Sequence, residues 1–88
     1  MTKKMQKITN EYRELMNIHL RCFQRKPDGY NFTYKFLHDT YEEFTTMIGG
    51  MFRFNVISEK DYEEAYRIGY ETWNDIEFKL WTSYVETA

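Results

Sequence analysis

The chain has 88 residues, of which 42% are hydrophobic and 30% charged, with a formal net charge of −2. That is the composition of one small globular domain, and it excludes a disordered or collagen-like chain. No stretch approaches the 18 or so consecutive apolar residues that roughly mark a membrane-spanning helix.

In the first third, Met5, Ile8, Tyr12, Leu15, His19 and Cys22 follow alternating spacings of three and four, with Met16 and Phe23 widening the stripe. This period predicts an amphipathic helix over about 4–25. Lys26-Pro27-Asp28-Gly29 then reads as a turn, because proline pre-sets its own φ and glycine tolerates left-handed backbone.

The middle third carries two periods at once. Leu37, Tyr41, Phe44, Ile48 and Met51 recur as on a helix, whereas Tyr30, Phe32, Tyr34 and Phe36 alternate with polar residues, as do Phe52, Phe54 and Val56. An α+β alternative would therefore place two short strands near 30–36 and 51–57. One helix over about 32–54 is the favoured reading, because Asn55-Val56-Ile57-Ser58 forms a plausible corner. Asn accepts the left-handed position after a helix, and Ser opens the next. Gly49-Gly50 would then allow a close helix approach or a kink.

For the last third, Ser58 stands three residues before Asp61 in a capping-box-like start, followed by Glu63 and Glu64 in the dipole-favoured turns. Tyr62, Tyr66, Gly69, Trp73, Ile76 and Leu80 set a helix over about 59–85, and Tyr70, Phe78, Trp81 and Tyr84 add a second apolar line. The expected architecture is all-α: a single domain over 1–88 folded as an up-down-up three-helix bundle.

Chemistry-bearing motifs fall short of any known constellation. The single cysteine excludes an intramolecular disulfide, and no secretory h-region follows Met1, so the cytoplasm is the expected compartment. His19 and Cys22, with His38 as a distant third, are too few for a metal centre, and they are expected to be a core-edge histidine and a core cysteine. His38 and Glu42 lie one helical turn apart, the spacing of a carboxylate-oriented base or of a surface contact. No nucleophile or phosphate-binding glycine loop accompanies them. We assign no catalytic residue, metal or cofactor from the sequence.

Charge is distributed unevenly. Residues 1–38 hold eight Lys and Arg against three acids, a balance of +5, and residues 39–88 hold four against eleven, a balance of −7. In an up-down-up bundle Lys3, Lys4 and Lys7 would face Glu59, Asp61, Glu63 and Glu64. The opposite end would gather Arg21, Arg25, Lys26, Lys35 and Lys79 into a positive pole, and Glu63, Glu64, Glu71 and Asp75 would line the third helix as a negative stripe.

These features support three expectations. The first is a non-enzymatic protein-interaction module, in which Glu63, Glu64, Glu71 and Asp75 frame the anchors Tyr70, Trp81 and Tyr84. Its partner would be a protein, in the sharpest form a basic nucleic-acid-binding one that accepts carboxylates in place of phosphates. The second is nucleic-acid binding through Arg21, Arg25, Lys26 and Lys35, with Tyr30, Phe32 or Tyr34 stacking on a base. The pI near 5.7 and the acidic third helix rank it lower. The third is a homo-oligomer built on Trp73, Phe78, Trp81, Tyr84 and Val85. A Lys-, Asn-, Tyr- and Phe-rich chain poor in Ala and Pro suggests a low-GC coding sequence. Small helical proteins of this kind recur among accessory genes of phages and mobile elements, so by analogy the role would be a regulator or inhibitor of anti-defence type.

Overall fold

Local hydrogen bonding decides where each helix begins and ends in the computed structural model, which describes residues 1–87. Helix α1 spans Lys3–Arg25, α2 spans Tyr30–Arg53 and α3 spans Glu59–Thr87. Thr2 caps α1, its hydroxyl accepting the Met5 N–H at 3.2 Å. Beyond α1, Pro27 has no N–H to extend a helix, and the Asp28 N–H turns back to the Lys26 carbonyl at 2.8 Å. Gly29 takes a left-handed φ of 69°, and its carbonyl accepts the Thr33 N–H at 2.9 Å, so α2 starts two residues before the expected position.

The α2–α3 corner follows the expected design. Asn55 is left-handed at φ 59°, the Asn55 N–H donates to Phe52, and the Val56 N–H donates to Met51 at 2.8 Å, which together make a Schellman closure. The Ser58 hydroxyl accepts the Asp61 N–H at 3.1 Å to open α3. Asp61 does not complete the capping box. Its carboxylate turns to α1 instead, where it accepts the Thr2 N–H at 3.3 Å.

No strand forms among the described residues, which overturns the α+β alternative. The alternating run Tyr30, Phe32, Tyr34, Phe36 lies inside α2, where a helical turn splits it between two neighbours. Tyr30 and Tyr34 meet Tyr84 and Trp73 of α3, and Phe36 meets His19 of α1.

Thr2 reaches Asp61 at one end and Gln24 reaches Ser83 at the other, so α1 and α3 run parallel, and α2 packs antiparallel to both. The bundle measures 46 × 19 × 14 Å. No described helix is long and apolar enough to cross a membrane.

The core registers differ from the expected stripes in two places. In α1 the buried line is Met5, Thr9, Tyr12, Met16, Leu20 and Phe23, while Leu15 is exposed and Ile8 only partly covered. Apolar side chains stand at adjacent positions there, so period alone does not choose between the two lines. Thr9 tolerates burial because its hydroxyl donates to the Met5 carbonyl at 2.6 Å. In α3 the first turns bury Asp61 and Ala65 in place of Tyr62 and Tyr66, and the line then continues as expected through Gly69, Trp73, Ile76 and Leu80.

All three helices meet at one point. Tyr12 of α1 stacks on Phe44 of α2 with ring centroids 4.2 Å apart, and its hydroxyl donates to the Gly69 carbonyl of α3 at 3.0 Å. Phe44 lies directly against Gly69, where an added Cβ would stand 2.8 Å from Cε2 of the ring. The close approach expected at Gly49-Gly50 occurs at Gly69 instead, since a Cβ at Gly49 or Gly50 would meet nothing within 4 Å.

The glycines should therefore respond with opposite signs. Gly69→Ala is expected to destabilise the bundle by about 1–3 kcal/mol through overpacking against Phe44. Gly49→Ala and Gly50→Ala should each stabilise it by up to about 1 kcal/mol through helix propensity. Urea midpoints of the three variants check this, and a loss at all three would contradict the placement.

Candidate interaction surfaces

Helix α3 extends along the whole bundle, and its face away from α1 and α2 is where the expected acidic stripe falls. Three of those four carboxylates have partners within the chain. Glu64 lies 3.7 Å from the N-terminal ammonium, Glu71 pairs with Arg67 at 3.1 Å, and Asp75 pairs with Lys79 at 2.9 Å. Only Glu63 is left without an ion pair among the described residues. The reason is the i,i+4 spacing of Arg67–Glu71 and Asp75–Lys79, which favours such contacts on any helix. At the same end Lys3, Lys4 and Lys7 form no ion pair among the described residues, and Asp61 is engaged by Thr2 and the N-terminal ammonium instead.

The aromatic part of the same face is more open. Tyr66, Tyr70, Phe78, Trp81 and Val85 are exposed along it, Phe78 at 69% and Trp81 at 52%. Tyr84 is tied inward, stacked on Tyr30 with centroids 4.4 Å apart. Beside Phe78 and Trp81 lies a groove of about 380 Å³ floored by Tyr30, Tyr34 and Asn74. Tyr34 donates its hydroxyl to the Glu77 carboxylate at 2.8 Å on the groove's edge. Tyr66, read from its spacing as a core residue, belongs to this outer face. A second i,i+4 line, Tyr66, Tyr70, Asn74, Phe78, was present in the sequence to place it.

Arg21, Arg25, Lys26 and Lys35 are all exposed near the Pro27 turn, and none forms an ion pair among the described residues. Lys79 leaves this pole for Asp75. Of the aromatics expected to stack on a base, Tyr30 and Tyr34 are occupied with α3, and Phe32 alone projects, at 78% exposure.

The thin metal candidate separates. His19 packs on Phe36 in the α1–α2 seam, whereas His38 packs against Trp73 on the α3 side. Cys22 is exposed rather than in the core. His38 Nδ1 meets Glu42 Oε1 at 2.9 Å, and Asp39 lies within reach of both, in an open surface cluster.

Comparison with protein-family profiles, curated proteins and solved structures finds no match to this chain.

Four tyrosines hold their protons more tightly than free tyrosine. Burial, then nearby Tyr41, pushes Tyr12 up; burial, then Glu77, raises Tyr30; the bond to Glu77 raises Tyr34; and burial raises Tyr41. Each folded value lies above the unfolded one, so their contribution to stability is complete below the ordinary value of 10.0 and is lost as pH rises beyond it. We expect the urea midpoint to fall once the pH passes 10.0, with a smaller fall in Tyr12→Phe. A Tyr12→Phe variant with an unchanged alkaline fall would contradict this.

Proposed function

We propose that the protein is a non-enzymatic interaction module that holds a protein partner on the outer face of α3. The observation that carries this reading is the exposed run of Tyr70, Phe78, Trp81 and Val85 on a helix face that α1 and α2 leave largely open, Trp81 alone of the four meeting a ring of α2, edge-on at Tyr30. Large aromatic bodies beside a shallow groove supply hot-spot anchors at little conformational cost. Because Glu71 and Asp75 are already neutralised by Arg67 and Lys79, the aromatics carry affinity here, and carboxylates such as Glu63 act mainly on the rate of encounter with a basic partner. The module acts in the cytoplasm as a regulator or inhibitor, in its sharpest form an anti-defence protein of a phage or mobile element directed at a nucleic-acid-binding protein.

A second reading has its own support. Arg21, Arg25, Lys26 and Lys35 are free of internal ion pairs among the described residues, and Phe32 projects beside them, which suits phosphate contact and base stacking.

One capture experiment separates the two. Tagged wild type, Phe78→Ala/Trp81→Ala and Arg21→Glu/Arg25→Glu/Lys26→Glu are used to pull partners from host lysate with and without nuclease. The α3 reading predicts a nuclease-resistant protein retained by wild type and the basic-pole variant, and weakened about tenfold or more by the α3 variant. Bound material lost with nuclease and with the basic-pole variant would transfer the function to the positive pole.

A further inference from the structure

The groove of about 380 Å³ on the α2 flank of α3 lies between Tyr30 and Tyr34 of α2 and Asn74, Glu77, Phe78 and Trp81 of α3. The α3 residues stand at i, i+3, i+4 and i+7, which sets them on one helix face with Glu77 and Trp81 one turn apart. Four of the six lining residues are aromatic, and Glu77 is the one formally charged residue among them.

Glu77 is half-buried, and the group bonded to it is the neutral Tyr34 hydroxyl, which donates at 2.8 Å. It forms no ion pair among the described residues. Lys79, two residues on, is committed to Asp75 at 2.9 Å, and Lys35, next to Tyr34 in sequence, does not line the groove. The carboxylate acts on both phenols: burial and then Glu77 raise Tyr30, and the bond to Glu77 comes first in raising Tyr34. No basic side chain counters either effect. A carboxylate taken partly out of water beside a neutral donor favours a cation brought to it from outside.

The rings supply the other half of a cation site. Trp81 is 52% exposed, and the two rings that meet it, Tyr30 and Tyr84, are inclined to it by 67° and 46°, so neither is stacked on the indole. Of the side-chain rings, an indole face attracts a cation most strongly.

We infer that the groove seats an arginine side chain of the protein partner, its guanidinium against the Trp81 ring and hydrogen-bonded to Glu77. This rests on the reading of the α3 face as the docking surface, and it names the group which that surface takes. Arginine suits the groove better than lysine. Its planar guanidinium lies flat on an aromatic ring while its edge donates to a carboxylate, and it is more weakly hydrated than an ammonium, so it leaves water at lower cost. Asn74 on the groove floor offers an amide oxygen to the remaining donors. Glu77 thereby differs from Glu71 and Asp75, which are already paired within α3.

The test titrates the isotopically labelled full-length chain with Nα-acetyl-arginine amide, following the Trp81 indole N–H and the Asn74 side-chain amide by NMR. Both signals are expected to shift saturably. The neutral citrulline analogue, of nearly the same shape, should bind about tenfold or more weakly. Glu77→Gln keeps an oxygen for the Tyr34 hydroxyl and removes the charge, and should weaken the arginine probe by a similar factor, whereas Glu71→Gln should leave it unchanged. Circular dichroism confirms the helicity of each variant. No saturable shift in wild type, equal binding of the arginine and citrulline probes, or a Glu77→Gln chain that binds as wild type does would overturn the proposal. So would tighter binding of Nα-acetyl-lysine amide. The docking reading is judged separately: a partner captured by wild type, lost with Phe78→Ala/Trp81→Ala and kept in full by Glu77→Gln would leave that reading standing and remove the arginine from it.

Discussion

The contact between the Phe44 ring and the bare backbone of α3 at Gly69 is the constraint on which the rest of the bundle depends. A side chain at that position would hold α2 away from α3, and the Tyr12 ring that stacks on Phe44 would move with it. Because Tyr12 also donates to the Gly69 carbonyl, one small region fixes the separation and the level of all three helices. The carbonyl has a second lone pair to offer while it serves its own helix, so the hydroxyl is satisfied at no cost to the backbone. No buried side-chain polar atom among the described residues lacks a partner.

Building a small core from rings has consequences at the surface. With seven Phe, eight Tyr and two Trp in 88 residues, a bundle 14 Å across its thinnest dimension cannot enclose every one. Rings that face α3 from α2 are packed on its aromatic side chains and partly covered, Tyr30 and Tyr41 by stacking and Tyr34 edge-on. Those on the outer face of α3 and along the α1–α2 seam are left in water. The two surfaces differ in character. On α3 the nearby charges are largely cancelled in pairs one turn apart, so what remains is an aromatic ridge. Along the seam Glu11 and Glu43 line one stretch, and Lys26 stands beside Asp28 in the other. The same shortage of enclosed volume thus leaves apolar side chains exposed on two surfaces.

Features written in neighbouring residues were the most legible in the sequence. Asn55 and Ser58 spelled out the α2–α3 corner, and the structure forms it with the expected left-handed residue and cap. The ion pairs Arg67–Glu71 and Asp75–Lys79 were equally present as i,i+4 spacings, yet they read as a free acidic stripe when only net charge was weighed. Long-range choices were harder to read. Asp61 occupies a core position because Thr2 of another helix satisfies its carboxylate, and a hydrophobic period has no means of signalling a buried acid. Gly69 and Gly49-Gly50 look alike as helix glycines, and only the arrival of Phe44 from α2 tells them apart. The candidate surface was legible in its aromatics Tyr70 and Trp81. It was not in Tyr84, whose ring is used against Tyr30.

The most direct test of this account is a double-mutant cycle of Gly69→Ala and Phe44→Leu, followed by urea unfolding. If the ring is what forbids a Cβ on α3, Gly69→Ala should cost at least about 1 kcal/mol less in the Phe44→Leu background than in wild type. Equal costs in both backgrounds would show the two positions to be independent, and would contradict the claim that this contact sets the spacing of the bundle.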